Sequence, residues 1–219
     1  MKRKSVAIVV VIALIAALAA FAATFMIRIK KEIGMMDPAP TGLVASGVFA
    51  ILDSFVNLYL VERDGKYLAV DAGTDAKNVR AASLFTNARV YISEREEDML
   101  NGKAHKVLFF RNSLKTEHGF LADGEETRIG GWMVRTIVVR GHTSGSACFV
   151  VDGKYLFTGD NLSLREGKAA PFNDFFNMDT PTQRADLPKI AGLEGIELLA
   201  TGHYGTTKAY AGATAGLAK

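Results

Sequence analysis

The chain opens with one long apolar run and then changes to short segments of mixed apolar and polar residues. Residues 6–27 hold no charged side chain, and basic residues flank them at 2–4 and from Arg28 onward. As a helix this run would be about 33 Å long, close to the roughly 30 Å hydrocarbon core of a bilayer. The pattern predicts a membrane anchor or signal sequence over residues 1–31, with residues 6–27 in contact with the membrane.

The apolar run is open to two interpretations, a retained anchor and a cleaved signal peptide. Small residues near Ala20 and Ala22 resemble a cleavage site, but apolar residues continue to Ile27, which favours retention. A short tail behind a basic cluster is typical of a signal anchor, so we expect the domain to lie outside the cytoplasm. The rest of the chain is divided into a tether at 32–42, a domain at 43–207 and a loose, Ala/Gly-rich tail at 208–219.

Beyond the tether, strand and helix patterns alternate. Asp64 and Gly65 form a hairpin turn signal between strand-like runs, and the same string DGKYL recurs at 152–156. Strands are predicted at 55–62, 66–70, 89–92, 133–139, 147–151, 154–157 and 197–200, and helices at 75–85, 94–101 and from Thr180. Capping boxes are predicted at Ser93 with Glu96 and at Thr180 with Gln183. This order indicates a layered protein of mixed α and β structure.

Composition narrows the classes of function. Apolar residues make up 49% of the chain and there is one cysteine, which excludes a disordered chain and a disulfide scaffold. The net charge of +3 comes from the N-terminus, which holds six of the 26 basic residues and one of the 23 acidic ones. Residues 33–219 therefore carry 20 basic and 22 acidic residues, so we expect no nucleic-acid partner.

Three predicted strands end in residues that can bind metal ions. His142 follows the strand at 133–139, Asp160 follows 154–157, and His203 follows 197–200. An up-down-up path through 147–151 brings Asp160 to the same edge of a sheet as His142, and a third apolar strand also ends in a possible ligand, His203. Each of the three lies beside a glycine that permits close approach. Two histidines and a carboxylate suffice for a catalytic zinc ion. Spacing alone leaves open whether they bind metal or cap loops.

Four segments resemble motifs of the metallo-β-lactamase superfamily. They are residues 68–73 (LAVDAG), 141–146 (GHTSGS), 156–160 (LFTGD) and 201–205 (TGHYG). The resemblance implies an αββα sandwich and a zinc-dependent hydrolase with one or two metal ions. It places His142 on one metal, His203 on the other and Asp160 between them as the residue on which catalysis depends. Asp71 would help to position the metal ligands without binding the metal itself.

The family's motif His-x-His-x-Asp-His is absent from this chain. It belongs between Asp71 and Arg89, an interval without histidine. Residues on either side of Ala82 and Ser83 resemble the stretches before and after the motif, which indicates that one strand of the N-terminal half is deleted there. Each metal would keep one histidine and the shared aspartate, which are too few ligands for tight binding. His105 and His118, the chain's other two histidines, are expected on the solvated surface.

The resemblance leaves three functional hypotheses. The first is a membrane-anchored hydrolase that acts on an unknown small molecule. The second is a metal-free binding or scaffold module, and the third is the product of an internal deletion in an active enzyme. Phe172, Phe175, Phe176 and Met178 either line a substrate mouth or cover the core, and Cys148 is expected to be a buried apolar residue.

Overall fold

The computed structural model describes residues 2–73, 87–103, 114 and 116–218. The chain divides into two compact units, Met1–Met36 and Asp37–Lys219. The first unit contains α1, a helix over Lys2–Gly34. The most apolar 18-residue window of the span Ile8–Gly34 has a mean hydropathy of 2.8, and none of that window is buried. The predicted apolar helix is therefore confirmed, and its length and composition suit a membrane anchor and a signal sequence alike.

The second unit is built mostly of short strands. They are β1 Gly42–Ala45, β2 Val48–Asp53, β3 Val56–Arg63, β4 Lys66–Val70, β5 Val90–Ser93, β6 His118–Leu121, β7 Glu126–Ile129, β8 Trp132–Val138, β9 Ala147–Val151, β10 Tyr155–Phe157, β11 Leu162–Arg165, β12 Lys168–Pro171, β13 Leu198–Ala200 and β14 Thr206–Thr207. The helices are α2 Glu97–Leu100, α3 Thr180–Asp186 and α4 Tyr210–Thr214, with 3-10 turns at Glu94–Glu96, Gly159–Asn161 and Leu187–Ile190.

Two sheets form the centre of this unit. The N-terminal sheet has the order β1-β2-β3-β4, and the six-stranded sheet has the order β14-β13-β10-β9-β8-β7. Both predicted DG hairpins are confirmed. Asp64 and Gly65 have φ of 53° and 71°, and Asp152 and Gly153 have φ of 54° and 70°. Two consecutive positive φ angles match the twist of the strands that such a turn joins.

The six-stranded sheet has an apolar core on each face, because successive residues of a strand point to opposite sides. In β10, Phe157 faces the N-terminal sheet and Leu156 faces the C-terminal helices. The first core joins both sheets through Val48, Ala50, Tyr59, Val61, Trp132, Val134, Val151, Phe157 and Leu198. The second core includes Cys148, Leu156, Leu162, Leu187, Ile190, Leu199, Tyr210 and Leu217. The predicted layered α/β class is confirmed.

The N-terminal sheet stops at β4 within the described residues. There β4 pairs with β3, while β5 and β6 pair with each other as a separate parallel sheet. The interval between β4 and β5 contains residues 74–86, which lie outside the described part of the chain. The predicted helix at 75–85 and the deletion point at Ala82 and Ser83 fall in that interval and stay predictions.

Both predicted capping boxes are wrong. Ser93 makes no capping hydrogen bond, and the Glu96 carboxylate accepts a hydrogen bond from Thr143 Oγ1 at 2.6 Å instead. The cap of α3 is Asp179, one residue before the predicted cap, and its carboxylate accepts from the Thr182 backbone N–H at 3.0 Å. Glu96 thus bonds a residue that is distant in sequence, although the local pattern would assign its side chain to a cap.

Both ends of the second unit are held by buried hydrogen bonds. The Ala39 N–H donates to Asn57 Oδ1 at 2.7 Å, and Asn57 Nδ2 donates to the Ala39 carbonyl at 2.8 Å. Tyr210 is 5% exposed, and its hydroxyl donates to the Ile190 carbonyl at 2.7 Å. The segment predicted as a loose tail at 208–219 therefore packs as α4 and the turn after it. The segment predicted as a tether includes a strap, residues 37–41, that is bound to the domain.

Candidate functional site

The structure brings together His142, Asp160 and His203, the three candidate ligands at the ends of predicted strands. β10 and β13 are parallel neighbours with Phe157 opposite Ala200. β8 and β10 are both antiparallel to β9, so β8 runs in the same direction as β10. His142, Asp160 and His203 lie just beyond the ends of β8, β10 and β13. We call these three side chains the His-Asp-His cluster.

Asp160 is the centre of the His-Asp-His cluster. His142 Nε2 lies 3.1 Å from Asp160 Oδ2, and His203 Nε2 lies 3.1 Å from Asp160 Oδ1. The side chains of His142, Asp160 and His203 are 13%, 29% and 8% exposed. One carboxylate is therefore bound on both oxygens by two largely buried imidazoles.

The second nitrogen of each imidazole is also engaged. His203 Nδ1 lies 2.7 Å from the Phe55 carbonyl, and His142 Nδ1 lies 3.2 Å from Asn177 Oδ1. The Asn177 amide nitrogen donates to three other oxygens, those of Phe172, Thr180 and Gln183, so its oxygen faces His142. Since both partners are acceptors, each Nδ1 carries a proton and each Nε2 is directed at Asp160.

Charge stabilises the cluster against the cost of burial. Burial would raise the pKa of Asp160, but the charges and hydrogen bonds of His142 and His203 hold it well below its usual range. Burial would likewise lower the pKa of His203, but the hydrogen bond and charge of Asp160 raise it. The Asp160 carboxylate is therefore held in its ionised form, and it favours the protonated form of His203.

Two glycines allow the loops to approach the cluster closely. A Cβ atom on Gly202 would lie 2.6 Å from Asp160 Oδ1. A Cβ atom on Gly141, where φ is +127°, would lie 2.5 Å from the Asp179 carbonyl oxygen. No side chain fits at either distance, so the residues before the two histidines must be glycine for the loops to pack this way.

Asp71 lies near the cluster but has a separate hydrogen bond. It follows β4 with φ of 76°, and its Oδ1 accepts from the Ala72 N–H at 2.6 Å. Burial and the charge of Asp160 raise the pKa of Asp71 to about 6. The residue as a whole is exposed, so solvent weakens this effect. Asp71 also lines a cavity of about 120 Å³ with Tyr59, Val70, Ala147, Phe149, Phe157, Gly159 and Gly202.

Aromatic side chains surround the two histidines. Phe55 stacks on His203 with ring centroids 5.7 Å apart. The Phe172 centroid lies 5.1 Å from that of His142 and 5.5 Å from that of His203. Phe172 is 2% exposed, whereas Met178 is 42% exposed. Phe172 is therefore part of the wall behind the histidines, and Met178 lies on the surface.

Sequence reasoning missed the two groups that orient the histidines. A backbone carbonyl such as that of Phe55 leaves no signal in a sequence, and Asn177 belongs to no motif that we recognised. His118 was also placed wrongly on the solvated surface. Its Nε2 lies 2.9 Å from Glu97 Oε2 and its side chain is 14% exposed. His105 lies outside the described residues.

The cluster has the donor types that zinc prefers. Imidazole nitrogen and carboxylate oxygen are common zinc ligands, and zinc-binding histidines usually donate their other N–H to an oxygen, as both do here. The arrangement, however, is that of a hydrogen-bonded cluster, since the two Nε2 atoms face different oxygens of one carboxylate. Among the described residues, no group of three or more His, Cys, Asp or Glu side chains is arranged to hold a metal ion.

No protein-family model and no curated protein matches this sequence. Solved structures match the fold. A metallo-beta-lactamase family protein from Thermus thermophilus aligns with a TM-score of 0.54 and 20% identity over 80% of this chain and 79% of its own. This chain has the metallo-β-lactamase fold.

Two further structures agree with this assignment. An archaeal metallo-beta-lactamase superfamily protein from Sulfolobus tokodaii gives a TM-score of 0.56 at 18% identity, over 74% of this chain and 81% of its own. A beta-lactamase domain protein from Burkholderia ambifaria gives a TM-score of 0.56 at 16% identity, over 84% of this chain and 74% of its own. The sequence motifs thus predicted the metallo-β-lactamase fold correctly, although the chain lacks the His-x-His-x-Asp-His motif.

Proposed function

We propose that this chain is a membrane-anchored hydrolase of the metallo-β-lactamase fold. The observation that carries the proposal is the meeting of His142, Asp160 and His203 at one sheet edge, with both imidazoles oriented by acceptors behind them. In this proposal α1 is a retained anchor, the domain lies outside the cytoplasm, and the partners include no nucleic acid. The substrate is a small molecule with an ester, thioester, amide or phosphodiester bond.

The His-Asp-His cluster would hold one zinc ion. His142 and His203 would contribute Nε2 and Asp160 a carboxylate oxygen, which makes the three protein ligands usual for a catalytic site. Two ions would have to share these three side chains, so we propose one. When bound, zinc supplies Lewis-acid chemistry that makes water a nucleophile near neutral pH.

The chain's own residues position the reacting groups. The Phe55 carbonyl and Asn177 fix the rings of His203 and His142, so that both Nε2 atoms stay directed at Asp160. Phe172 shields the histidines from water on one side. The Asp71 carboxyl lines the adjacent cavity, and burial and the charge of Asp160 shift its pKa in the direction that favours the protonated form.

Zinc content tests this proposal. Elemental analysis of the full chain, purified in detergent, should give one zinc ion per chain. The Asp160→Ala variant should lose both zinc and hydrolysis of a test ester. His118→Ala is the matched control, because His118 pairs with Glu97 rather than with a member of the cluster, and it should keep both. Hydrolysis that survives Asp160→Ala would contradict the mechanism.

A metal-free binding or scaffold module is the second candidate. It is favoured by the carboxylate of Asp160, which both histidines already bind, and by the absent histidine motif between Asp71 and Arg89. A folded full-length chain without zinc would support this candidate over the hydrolase. Resequencing the coding DNA around Ala82 and Ser83 would then separate an inherited loss from an accidental internal deletion.

A further inference from the structure

We propose that Gln183 is a positioning residue of the His-Asp-His cluster, and that it acts through the Asn177 amide to place the ring proton of His142 on Nδ1. This inference rests on the proposed hydrolase function and adds a residue to its site. The sequence pattern assigned Gln183 to a capping box, but the capping hydrogen bond of α3 comes from Asp179. The Gln183 side chain is fully buried instead and faces the segments around the cluster.

Two backbone groups fix the orientation of the Gln183 amide. The Phe172 N–H donates to Gln183 Oε1 at 2.9 Å, and Gln183 Nε2 donates to the Asp160 carbonyl at 3.4 Å. A backbone N–H can only donate and a backbone carbonyl can only accept. The oxygen and nitrogen of this side chain therefore cannot exchange places without losing both hydrogen bonds. The shorter bond, to Phe172, contributes more to this preference.

The Gln183 oxygen in turn orients the Asn177 amide. Asn177 Nδ2 donates to Gln183 Oε1 at 2.9 Å. Its bonds to Thr180 Oγ1 and to the Phe172 carbonyl are longer, 3.0 and 3.3 Å. Gln183 Nε2 also lies 3.5 Å from Asn177 Oδ1, which agrees with this orientation. Because the nitrogen of Asn177 faces the Gln183 oxygen, the oxygen of Asn177 faces His142.

The Asn177 oxygen then determines where the imidazole of His142 carries its proton. Asn177 Oδ1 lies 3.2 Å from His142 Nδ1. An amide oxygen only accepts hydrogen bonds, so Nδ1 is protonated in both the neutral and the cationic ring. In the neutral ring Nε2 is therefore the unprotonated nitrogen, which is the form that binds a metal ion. Nε2 is also the nitrogen that lies 3.1 Å from Asp160.

Close packing holds Gln183 against the loop that carries His142. A Cβ atom on Gly141 would lie 2.5 Å from Gln183 Cβ and 2.7 Å from the Gln183 backbone nitrogen. The backbone N–H groups of Met178 and Asp179 donate to the Gly141 carbonyl at 2.9 and 2.8 Å. The start of α3 and the His142 loop are thus in direct contact. The position of Gln183 is therefore fixed by packing as well as by hydrogen bonds.

Nitrogen NMR of the histidine rings tests this inference without relying on activity. The full chain in detergent is isotope-labelled at histidine alone, which leaves the rings of four residues to resolve. The signal that disappears in His142→Gln belongs to His142. We expect Nδ1 of His142 to be protonated in the unsubstituted, zinc-free chain. An unprotonated Nδ1 would overturn the inference whatever the variants show.

Two substitutions separate hydrogen bonding from packing. Gln183→Met keeps the unbranched shape of the side chain but has no strong acceptor for Asn177, so the Nδ1 signal of His142 should shift toward that of an unprotonated nitrogen. Gln183→Glu keeps the acceptor, and burial favours its protonated form, which has one donor and one acceptor like the amide. The Nδ1 proton should therefore persist in Gln183→Glu.

Retention of the Nδ1 proton in both variants would show that the Gln183 oxygen is not needed, and loss in both would show that packing alone matters. Either result would overturn the inference. Trp132 fluorescence reports whether each variant is folded. If Gln183→Met does not fold, loss of the Nδ1 proton in Gln183→Glu still overturns the inference and its retention supports it.

Two control variants show whether the readout is specific. Arg184→Met changes the next residue of α3, which is exposed, and should leave the His142 signal unchanged. Tyr210→Phe removes a buried hydroxyl of the second core and controls for a loss of stability. A shift of the His142 signal in Tyr210→Phe as large as that in Gln183→Met would overturn the inference.

Zinc titration of the same proteins separates this inference from the proposed function. Removing a partner that orients a metal ligand typically weakens metal binding by about 10–100-fold. We therefore expect the dissociation constant for zinc to rise about tenfold or more in Gln183→Met and less in Gln183→Glu. Equal zinc affinity of the unsubstituted chain and Gln183→Met would overturn the positioning role and leave the hydrolase intact. An unsubstituted chain that binds no zinc would overturn the proposed function, while the NMR spectra would still decide the role of Gln183.

Discussion

Replacing Asp186 by asparagine tests how the loop that carries His142 is held in place. Asp186 lies at the end of α3 with its side chain 6% exposed. Its carboxylate accepts from the backbone N–H of Arg140 at 3.0 Å and from Arg140 Nε and Nη2 at 2.8 and 3.1 Å. Lys189 Nζ lies 3.0 Å from Asp186 Oδ1. Arg140 is two residues before His142, so this contact anchors the start of the loop.

The expected loss of stability follows from these contacts. Removing one partner of a buried ion pair costs about 3–5 kcal/mol, and a single hydrogen bond to a charged group contributes about 1.5–3 kcal/mol. Arg140 and Lys189 are 47% and 39% exposed, so water can hydrate them in the variant. Asparagine also keeps one acceptor oxygen. We therefore expect Asp186→Asn to lower the free energy of unfolding by about 2 kcal/mol at pH 7.

The effect has a defined dependence on pH. Burial would raise the pKa of Asp186, but the hydrogen bonds of Arg140 and Lys189 hold it well below its usual range. The folded state therefore binds fewer protons than the unfolded state in acid, which destabilises it there. The contribution of Asp186 is fully present above about pH 4 and is lost progressively below it. The difference between wild type and Asp186→Asn should shrink over the same range.

Urea unfolding of the full chain in detergent measures this difference. Trp132 is the single tryptophan and is 4% exposed, so its fluorescence reports on the core between the sheets. Asp98→Asn is the matched control, because the Asp98–Lys103 pair is 63% and 74% exposed and should contribute about 0–1 kcal/mol. A loss below about 0.5 kcal/mol for Asp186→Asn, or a difference that persists unchanged at low pH, would refute the reasoning.

Two further substitutions test the packing around the site and at the C-terminus. Gly202→Ala places a Cβ 2.6 Å from Asp160 Oδ1, so we expect a loss of about 1–3 kcal/mol and of bound zinc, measured by urea unfolding and elemental analysis. Gly212→Ala, with nothing within 4 Å of its Cβ, is the control, and equal behaviour of the two would contradict the close approach. Tyr210→Phe removes the hydroxyl that bonds Ile190 and Leu193, and should cost about 1–2 kcal/mol in the same unfolding assay. Unchanged stability would contradict the contribution assigned to this hydroxyl.

Local patterns predicted those features that depend on neighbouring residues in the chain. The DG pairs at 64–65 and 152–153 determine their hairpins because the turn needs positive φ angles that aspartate and glycine accept at low cost. The meeting of His142 and Asp160 was also predictable, since one hairpin returns the chain to the same edge of the sheet. The parallel pairing of β13 with β10, which adds His203, does not follow from counting turns. The run at 6–27 similarly predicted α1 from its length and lack of charge.

Tertiary structure decided what depends on partners distant in sequence. Glu96 bonds Thr143 rather than capping its own turn, and Tyr210 is buried because Ile190 offers its hydroxyl an acceptor. The carbonyl of Phe55 orients His203 across 148 positions of sequence. Backbone groups are the same in every residue, so a sequence does not reveal which of them a side chain will meet. The sequence by itself thus determined the two DG hairpins, the strands that lead to His142, Asp160 and His203, and those three residues at the strand ends. The structure added seven strands that the sequence patterns did not predict, β1, β2, β6, β7, β11, β12 and β14, and it determined the order of the strands in the sheets. Folding determined how those residues are oriented, charged and joined to the start of the domain, because hydrogen bonds and burial exist only once distant segments pack together.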